Sequence, residues 1–304
     1  MRLIVNPAAA GGRLGRSWPR IERRLAALGL GGADTVFTEA PGHATELACQ
    51  AVTDGHRRVL VAGGDGTACE AAEGLHAAGA GVLGMLPLGT GNDAPRAFGL
   101  PSLAAAVAAA SNGSTRRVDL IRIGDRVVLN AIGLGLLGDI NRRAYNVKVV
   151  RGIAVYAAVA LVSLIRFPSP RVRLRAPGLE WEGSLTAMAV QNGETTGGGF
   201  RLAPGASVDD GRLDLALVPG LGPVGRVPRL VAAMRGTLGR WSGTVEHRAP
   251  WLDLEIDTPM PAHLDGNPWQ VDPPGVRIEI LPGALEVVAG PAGGRVNPDG
   301  GMTS

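Results

Sequence analysis

The strongest chemical signal in the sequence is a glycine-rich loop, Gly63-Gly64-Asp65-Gly66-Thr67. The loop directly follows an apolar run at Arg58–Ala62, which predicts a strand. Thr67 and Glu70 have the spacing of a capping box, so a helix is predicted to begin at Thr67 with its first amide groups facing the glycines. Backbone N–H groups and the helix dipole converge at such an end, and no Cβ blocks a phosphate. The loop therefore predicts phosphate binding, with a plain tight turn as the alternative.

Two further glycine-rich loops also follow predicted strands. The loop at Leu88–Asp93 comes after a strand at Val82–Leu86, and Asp93 in front of Ala94-Pro95 predicts a helix N-cap. The loop at Asn6–Gly12 comes after the first apolar run of the chain. Because parallel strands end at the same edge of a sheet, the three loops are predicted to meet at one rim. Together they indicate a phosphate site more strongly than any one of them.

Lysine and cysteine usage exclude several classes of site. Lys148 is the only lysine and lies outside any glycine-rich loop, which excludes a Walker A motif and argues against an ordinary protein kinase. Phosphate must then be handled by backbone amides, a metal ion or arginine. Cys49 and Cys69 are twenty positions apart, so neither a zinc site nor a disulfide framework is predicted. Two small buried thiols in a reducing cytosol are expected.

The charge of the chain is uneven along its length. Over all 304 residues, 30 basic and 27 acidic side chains give +3, too little to predict a nucleic-acid partner. Between Arg116 and Arg175, twelve basic residues face three acidic ones, so this stretch carries +9 and the remainder −6. The longest apolar run, Ile153–Ile165, is too short to span a bilayer, and no signal peptide is visible. We expect a cytoplasmic protein that can also associate peripherally with the inner face of the membrane.

Two kinds of periodicity divide the chain. Strand-like runs alternate with helix-period segments over the first 113 residues, which predicts βαβ units and a mostly parallel sheet. From about Val118 the period changes to two, as at Leu252–Ile256, and predicts an antiparallel β-sandwich with one helix near residues 151–166. The predicted domains are residues 1–120, an α/β domain, and residues 121–290, a β domain. Residues 291–304 are expected to form a flexible tail.

The motifs together resemble the diacylglycerol kinase catalytic family of lipid kinases, which includes bacterial soluble lipid kinases and sphingosine kinases. The resemblance covers residues 2–290. The matching features, in family order, are Asn6-Pro7 with Gly11, Thr38 with Gly42-His43-Ala44, Gly63–Thr67 with Glu70, Pro87–Asp93, Asn192 with Gly197–Gly199, Ala203-Pro204, Asp209–Gly211 and Asp265-Gly266. The resemblance implies an N-terminal α/β nucleotide-binding domain with a mostly parallel sheet, a C-terminal antiparallel β-sandwich domain for the lipid, and an active site in the cleft between them.

The resemblance also implies an ATP- and magnesium-dependent lipid kinase acting at the membrane surface; a homodimer is an open possibility. The residues that it assigns to ATP are Asn6, Thr38, Gly63, Gly64, Asp65, Gly66, Thr67, Glu70, Gly89, Thr90, Asn92 and Asp93. Asp65 and Asp93 would orient phosphates and Mg²⁺ through water. Asp210 would bind a metal ion, with the carbonyl groups of Ser207 and Arg212.

One motif departs from the family pattern. The family usually ends its last motif with Asp-Gly-Glu and a suspected glutamate base, whereas this chain has Asp265-Gly266-Asn267. An amide cannot hold a proton as a carboxylate can. Either Asp265 or Asp65 supplies the base, or the transition state needs little help from a base, or the protein is a weak or inactive nucleotide-binding homologue. A simple hairpin turn at Asp265-Gly266 and a kinase of NAD, a sugar or another soluble alcohol are further alternatives.

Overall fold

The structure, a computed structural model, describes residues 1–146 and 153–290. The chain forms two compact units, Met1–Arg117 together with the segment from Leu285, and Val118–Ala284. The predicted tail at 291–304 lies outside the described residues. The helices are α1 (Ala9–Leu25), α2 (His43–Thr53), α3 (Asp65–Ala78), α4 (Asp93–Ala97), α5 (Leu103–Asn112), α6 (Leu136–Asn146), α7 (Ile153–Arg166) and α8 (Pro223–Arg235).

The strands are β1 (Arg2–Val5), β2 (Asp34–Phe37), β3 (Arg58–Gly63), β4 (Val82–Pro87), β5 (Thr115–Ile123), β6 (Arg126–Val128), β7 (Ala131–Gly135), β8 (Arg171–Ala176), β9 (Leu179–Gln191), β10 (Thr195–Thr196), β11 (Phe200–Arg201), β12 (Leu213–Pro219), β13 (Val245–Ala249), β14 (Trp251–Ile256), β15 (Met260–Leu264), β16 (Asn267–Val271) and β17 (Gly275–Val288). Short helical turns occur at Ala26–Leu30 and Leu238–Arg240.

The first unit is built on a parallel sheet. Its order is β2-β1-β3-β4, and the last residues of β17 extend it beyond β4. Strands β3 and β4 are almost entirely buried because helices cover both faces. Helices α1 and α5 pack on one face of the sheet. Helices α2 and α3 pack against each other, and they contact β1 and β3, respectively. The predicted α/β domain with a mostly parallel sheet is confirmed. Of the two thiols expected to be buried, Cys69 of α3 is buried, whereas Cys49 of α2 is exposed.

The second unit is the predicted antiparallel β-sandwich. One sheet has the order β16-β15-β7-β9-β12-β13, and the other contains β8, β14 and β17. Strand β9 belongs to both: Leu179–Ser184 pairs with β8, and Ala187–Gln191 pairs with β7 and β12. Side chains of alternating strands fill the interior, as the period-two pattern requires.

The helices of the second unit exceed the prediction of one. Helix α7 confirms the described part of the helix expected near 151–166, whereas α6 and α8 were not predicted. Helix α8 begins with Pro223 and contains Pro228, and a proline inside a segment disfavours a helix. Apolar contacts with the sheet stabilise the helix nevertheless. In the described part of the chain, no helix is both long and apolar enough to cross a membrane.

The C-terminal end of β17 belongs to the first unit. Glu286 and Val287 pair in parallel with Val82 and Leu83 of β4. The sequence analysis placed all of residues 121–290 in the second domain. The segment from Leu285 instead completes the sheet of the first unit, because β4 would otherwise be an edge strand with unpaired backbone groups.

Candidate functional site

Two of the glycine-rich loops meet at the ends of β3 and β4. A Cβ atom on Gly89 would lie only 2.6 Å from the Cα atom of Gly64 and 3.0 Å from the carbonyl oxygen of Gly63. Real Cβ contacts are never so short, so the two loops can approach only as bare backbone. The rim predicted from the glycine pattern therefore exists for these two loops.

Helix α3 begins two residues earlier than predicted. Its N-cap is Gly64, and Asp65 is the first helical residue. The capping box of Thr67 and Glu70 is absent, because Thr67 lies inside the first turn of the helix and not before it. Its hydroxyl accepts a hydrogen bond from Asn6 Nδ2 at 2.9 Å. Since Gly64 has no side chain that could cap the helix, the first turn presents its amide groups beside the glycines.

Asn6 and Glu70 connect helix α3 to neighbouring segments by hydrogen bonds. The Oδ1 atom of Asn6 also accepts a hydrogen bond from the Ala8 amide at 3.0 Å, so one side chain joins the first loop to the start of α3. Glu70 lies in the second turn of α3, where its backbone carbonyl accepts a hydrogen bond from the Thr45 hydroxyl at 3.0 Å. These contacts position α3 and do not require a ligand.

Asp65 joins the two loops. Its Oδ1 atom accepts a hydrogen bond from the amide of Ala94 at 2.9 Å, so it caps α4 from a distance of 29 residues. The prediction that Asp93 is the N-cap of α4 is wrong. Asn92, with φ 55°, is the residue before the helix, and its side chain accepts the Gly89 amide at 2.9 Å. Asp93 is buried inside the first turn and pairs with Arg96 at 2.8 Å.

The carboxylate of Asp65 lies in an environment that opposes its negative charge. Burial raises its pKa above the usual value, and the nearby charge of Asp93 raises it further. The Ala94 amide and Arg96 act in the opposite direction and lower the pKa. The two carboxylates repel each other, and Arg96, which pairs with Asp93, offsets part of this repulsion.

The two threonines assigned to ATP differ in exposure. Thr38 follows β2, is buried, and donates its backbone amide to the Val5 carbonyl at 2.9 Å. Thr90 is exposed at the tip of its loop. Both belong to the first unit, and their ATP contacts stay a prediction.

Asp265 stabilises the second unit through hydrogen bonds from backbone amides. It is buried, and its carboxylate accepts hydrogen bonds from the amides of Leu129, Asn130 and Ala131 at 2.9, 3.0 and 2.7 Å. Asp265 and Gly266 both have positive φ and connect β15 to β16 as a two-residue hairpin turn. The hairpin turn considered in the sequence analysis is thus present. The three amides already donate to the carboxylate oxygens, so Asp265 is poorly placed to accept a proton from a substrate.

Asn267 is the first residue of β16 and pairs with Leu264 across the hairpin. It is half-buried. Behind the same turn, Asn141 donates to the carbonyl of Gly266 at 2.9 Å. The backbone of residue 267 is therefore fixed by the strand pairing, directly after a turn that Asn141 stabilises.

The loop around Asp210 has the oxygen donors that a hard cation takes. Asp210 is exposed, and its Oδ1 atom accepts the amide of Arg212 at 3.1 Å. Ser207 donates its hydroxyl to Asp209 at 2.6 Å. Within residues 1–146 and 153–290, no three His, Cys, Asp or Glu side chains converge as a metal site. An exposed carboxylate is an oxygen ligand of the kind that Mg²⁺ takes, and the assignment of the Ser207 and Arg212 carbonyls to the same ion stays a prediction.

Asp119 is a residue that the sequence analysis missed. It is 2% exposed in β5, and its carboxylate accepts the amides of Gly211 and Gly283, both at 2.7 Å. Asp119 thereby fixes the loop that carries Asp210. A charged residue inside the apolar run Val118–Ile123 was the signal that could have revealed it.

His263 gives the second unit a pH-dependent stability. It is buried, and burial lowers its pKa from 6.5 to about 4. Its Nδ1 atom accepts the Gly266 amide at 3.3 Å. The unfolded chain therefore binds a proton between about pH 6.5 and pH 4 while the folded chain does not, so stability falls as the pH falls through this window.

We expect the free energy of unfolding to decrease by about 2–3 kcal/mol from this group between pH 7 and about pH 4.5. Urea unfolding at both pH values measures the decrease. The His263→Gln variant should show a smaller pH dependence by that amount. An identical pH dependence in the variant would contradict the assignment.

The parallel α/β unit with paired glycine loops, followed by a β-sandwich, defines a protein of the diacylglycerol kinase class. The model of the diacylglycerol kinase catalytic domain matches residues 1–123, and that of the YegS C-terminal NAD kinase beta sandwich-like domain matches residues 130–289. The chain is 36% identical over 253 residues to a protein of Pseudomonas fluorescens named "Probable lipid kinase YegS-like", with 83% of each chain covered. It belongs to the YegS-like lipid kinase family.

Solved structures agree with this fold. A diacylglycerol kinase structure from Bacillus anthracis str. Sterne matches with a TM-score of 0.69 at 24% identity, covering 96% of this chain and 97% of the other. Another structure from the same organism matches with a TM-score of 0.76 at 25% identity and the same coverage. The resemblance found in the sequence motifs is confirmed.

Proposed function

We propose that the protein transfers the γ-phosphate of ATP to a hydroxyl group of a lipid such as diacylglycerol or a sphingoid base. The observation that carries the proposal is the close packing of Gly64 against Gly89 at the start of α3. This packing leaves a surface of backbone amides at a helix N-terminus, which favours a phosphate chain. Membership of the lipid kinase family supports a lipid as the acceptor.

Three carboxylates of the chain are our candidates for holding a metal ion. Asp65 and Asp93 lie where the two glycine-rich loops meet, and Asp210 lies on a separate loop of the second unit. Bound Mg²⁺ would offset the charge on the phosphoryl oxygens. In our proposal Asp65 and Asp93 hold the cation through water, and Asp210 holds a second one.

An apolar cavity of the second unit supports a lipid rather than NAD or a sugar. Its volume is 60 Å³, and most of its wall is aliphatic. The wall comes from α6, α7 and α8 and from β9 and β12, with Leu136, Ile140, Leu164, Ala189, Ala216 and Leu230 among its residues. Such a wall offers few hydrogen bonds to a polar alcohol. We propose that it receives the end of an acyl chain.

A labelling experiment tests the function directly. Purified protein is incubated with γ-labelled ATP, Mg²⁺ and mixed micelles of diacylglycerol or sphingosine, and label is counted in the organic phase. The proposal requires label in the lipid phase that the Asp65→Ala variant does not produce. Absence of lipid label, together with phosphorylation of NAD or a sugar, would refute it.

A weak nucleotide-binding homologue is the second candidate, and Asn267 is the observation that favours it. Replacing Asn267 with Glu should raise turnover roughly 10- to 100-fold, because a carboxylate can accept the hydroxyl proton that an amide cannot. The kcat of the purified variant on lipid micelles measures the gain. Asn267→Gln is the matched control and should show no gain.

Calorimetric titration with ATP separates the two candidates. If ATP binds both Asn267→Glu and the parent chain tightly and neither forms labelled lipid, the second candidate is correct. If turnover of the parent chain is already high and Asn267→Glu does not increase it, the transition state needs little help from a base.

A further inference from the structure

Helix α8 exposes a row of apolar side chains. Val224, Val227, Val231 and Met234 are 89%, 48%, 42% and 57% exposed, and their spacing of three and four places them on one face. The opposite face carries Ala232 and Ala233, which pack in the core of the second unit. A helix on the surface of a soluble protein normally presents polar residues to water, so this row needs an explanation.

Helix α7 adds to the same surface. Leu161, Val162 and Ile165 are 54%, 40% and 56% exposed, while Leu164 faces the core. The buried Arg226 of α8 donates hydrogen bonds to the carbonyls of Leu164 and Phe167 at 2.6 and 2.7 Å, and so ties the two helices together.

Both helices line one cavity on the same sheet, so their outer faces point away from one core. We call this surface the docking face and define it by seven residues. They are Leu161, Val162, Ile165, Val224, Val227, Val231 and Met234.

Arginines outnumber carboxylates around the docking face. Arg166, Arg235 and Arg240 are exposed near its residues in the chain, and Arg229 stacks on the ring of the exposed Trp241 at 4.5 Å. Neither Asp nor Glu occurs in the sequence at positions 140–179 or 215–245. The carboxylate of Glu246 is the exception, because it lies against Gly239 beside Arg240. An apolar face bordered mainly by arginine complements a surface that is apolar inside and anionic outside.

We propose that the docking face binds the surface of an anionic phospholipid bilayer, with its aliphatic side chains in the interface and its arginines at the phosphates. A second copy of the chain fits less well, because a twofold contact would bring several arginines together with few carboxylates to pair them. As a way to reach a lipid acceptor, the proposal rests on the function proposed above, but the binding itself needs neither ATP nor turnover.

Vesicle flotation tests the proposal. The full chain is mixed with vesicles of phosphatidylcholine alone or with phosphatidylglycerol added, and the bound fraction is measured against lipid concentration. The triple variant Val227→Gln, Val231→Gln, Met234→Gln should bind anionic vesicles roughly tenfold or more weakly, because it removes three apolar side chains from the interface. The pair Arg235→Gln, Arg240→Gln should weaken binding by roughly fivefold per arginine and reduce its salt dependence.

Controls separate docking from folding. Glutamine forms helix better than valine, so the triple variant should melt at the temperature of the parent chain. The double variant Leu28→Gln, Phe37→Gln removes exposed apolar side chains from the first unit and should bind vesicles normally. Equal vesicle binding by the triple variant and the parent chain would overturn the proposal. So would a parent dimer that becomes monomeric in the triple variant while vesicle binding is unchanged.

Activity on a dispersed short-chain diacylglycerol distinguishes failure of docking from failure of the proposed function. The triple variant should retain turnover on this substrate. Vesicle binding without any lipid phosphorylation would leave the docking face in place and remove the proposed function. Lipid phosphorylation without vesicle binding would support the proposed function and overturn the docking face.

Discussion

Replacement of Asp265 by alanine is expected to lower the free energy of unfolding by about 4 kcal/mol or more. The carboxylate is buried and accepts the amides of Leu129, Asn130 and Ala131. Alanine leaves these three amides without an acceptor in a place that water does not reach, and hydrogen bonds to a charged group are worth about 1.5–3 kcal/mol each. Urea unfolding followed by circular dichroism measures the loss.

The Asp265→Asn variant separates a structural role from a chemical one. Its remaining oxygen can still accept from one or two of the amides, so its stability should lie between those of the parent chain and Asp265→Ala. If Asp265→Ala were as stable as the parent chain but inactive, Asp265 would instead be the proton acceptor. The structure predicts that lost stability accounts for lost activity.

Loss of the charge at Asp65 is expected to lower turnover by roughly 10²- to 10⁴-fold, because preorganised electrostatic groups contribute effects of this size. Asp65→Asn keeps an oxygen that can accept the Ala94 amide, so α4 should remain capped and the fold intact. Asp65→Ala removes both the cap and the charge. The kcat of each variant on lipid micelles, with its urea unfolding curve, measures the two effects.

The comparison of these variants decides what Asp65 does. If Asp65→Asn turns over like the parent chain while Asp65→Ala does not, the residue acts only as a cap for α4. Equal loss in both variants supports a role for the charge in holding the metal ion and phosphates. Asp257→Asn, at an exposed turn after β14, is the control and should leave turnover unchanged.

Local patterns predicted the framework of the protein well. The strand ends and glycine loops of the first unit follow from short apolar runs and from the need for bare backbone, both of which are local. The caps at Thr67 and Asp93 were wrong because distant residues decide them. The Thr67 hydroxyl accepts a hydrogen bond from Asn6, which lies 61 positions away. The amide of Ala94 donates to Asp65 and not to a residue next to it in the chain.

The remaining errors have the same origin. The role of Asp265 depends on amides about 135 positions earlier in the chain, which no local pattern encodes. Helix α8 contains Pro228 and three exposed valines, so its helical state depends on the packing of its other face. The catalytic and ATP-binding assignments rest on the family resemblance and await the variants above.

The end of β17 has a consequence for the order in which the protein is made. Strand β4 acquires its outer neighbour from Leu285–Val288, which the ribosome adds only after the whole second unit has been synthesised. Until then the growing chain carries an incomplete sheet with an open edge, a feature that invites misassembly. A first unit cut at residue 117 would therefore lack the strand that pairs with β4, and its sheet is completed only after β17 has left the ribosome.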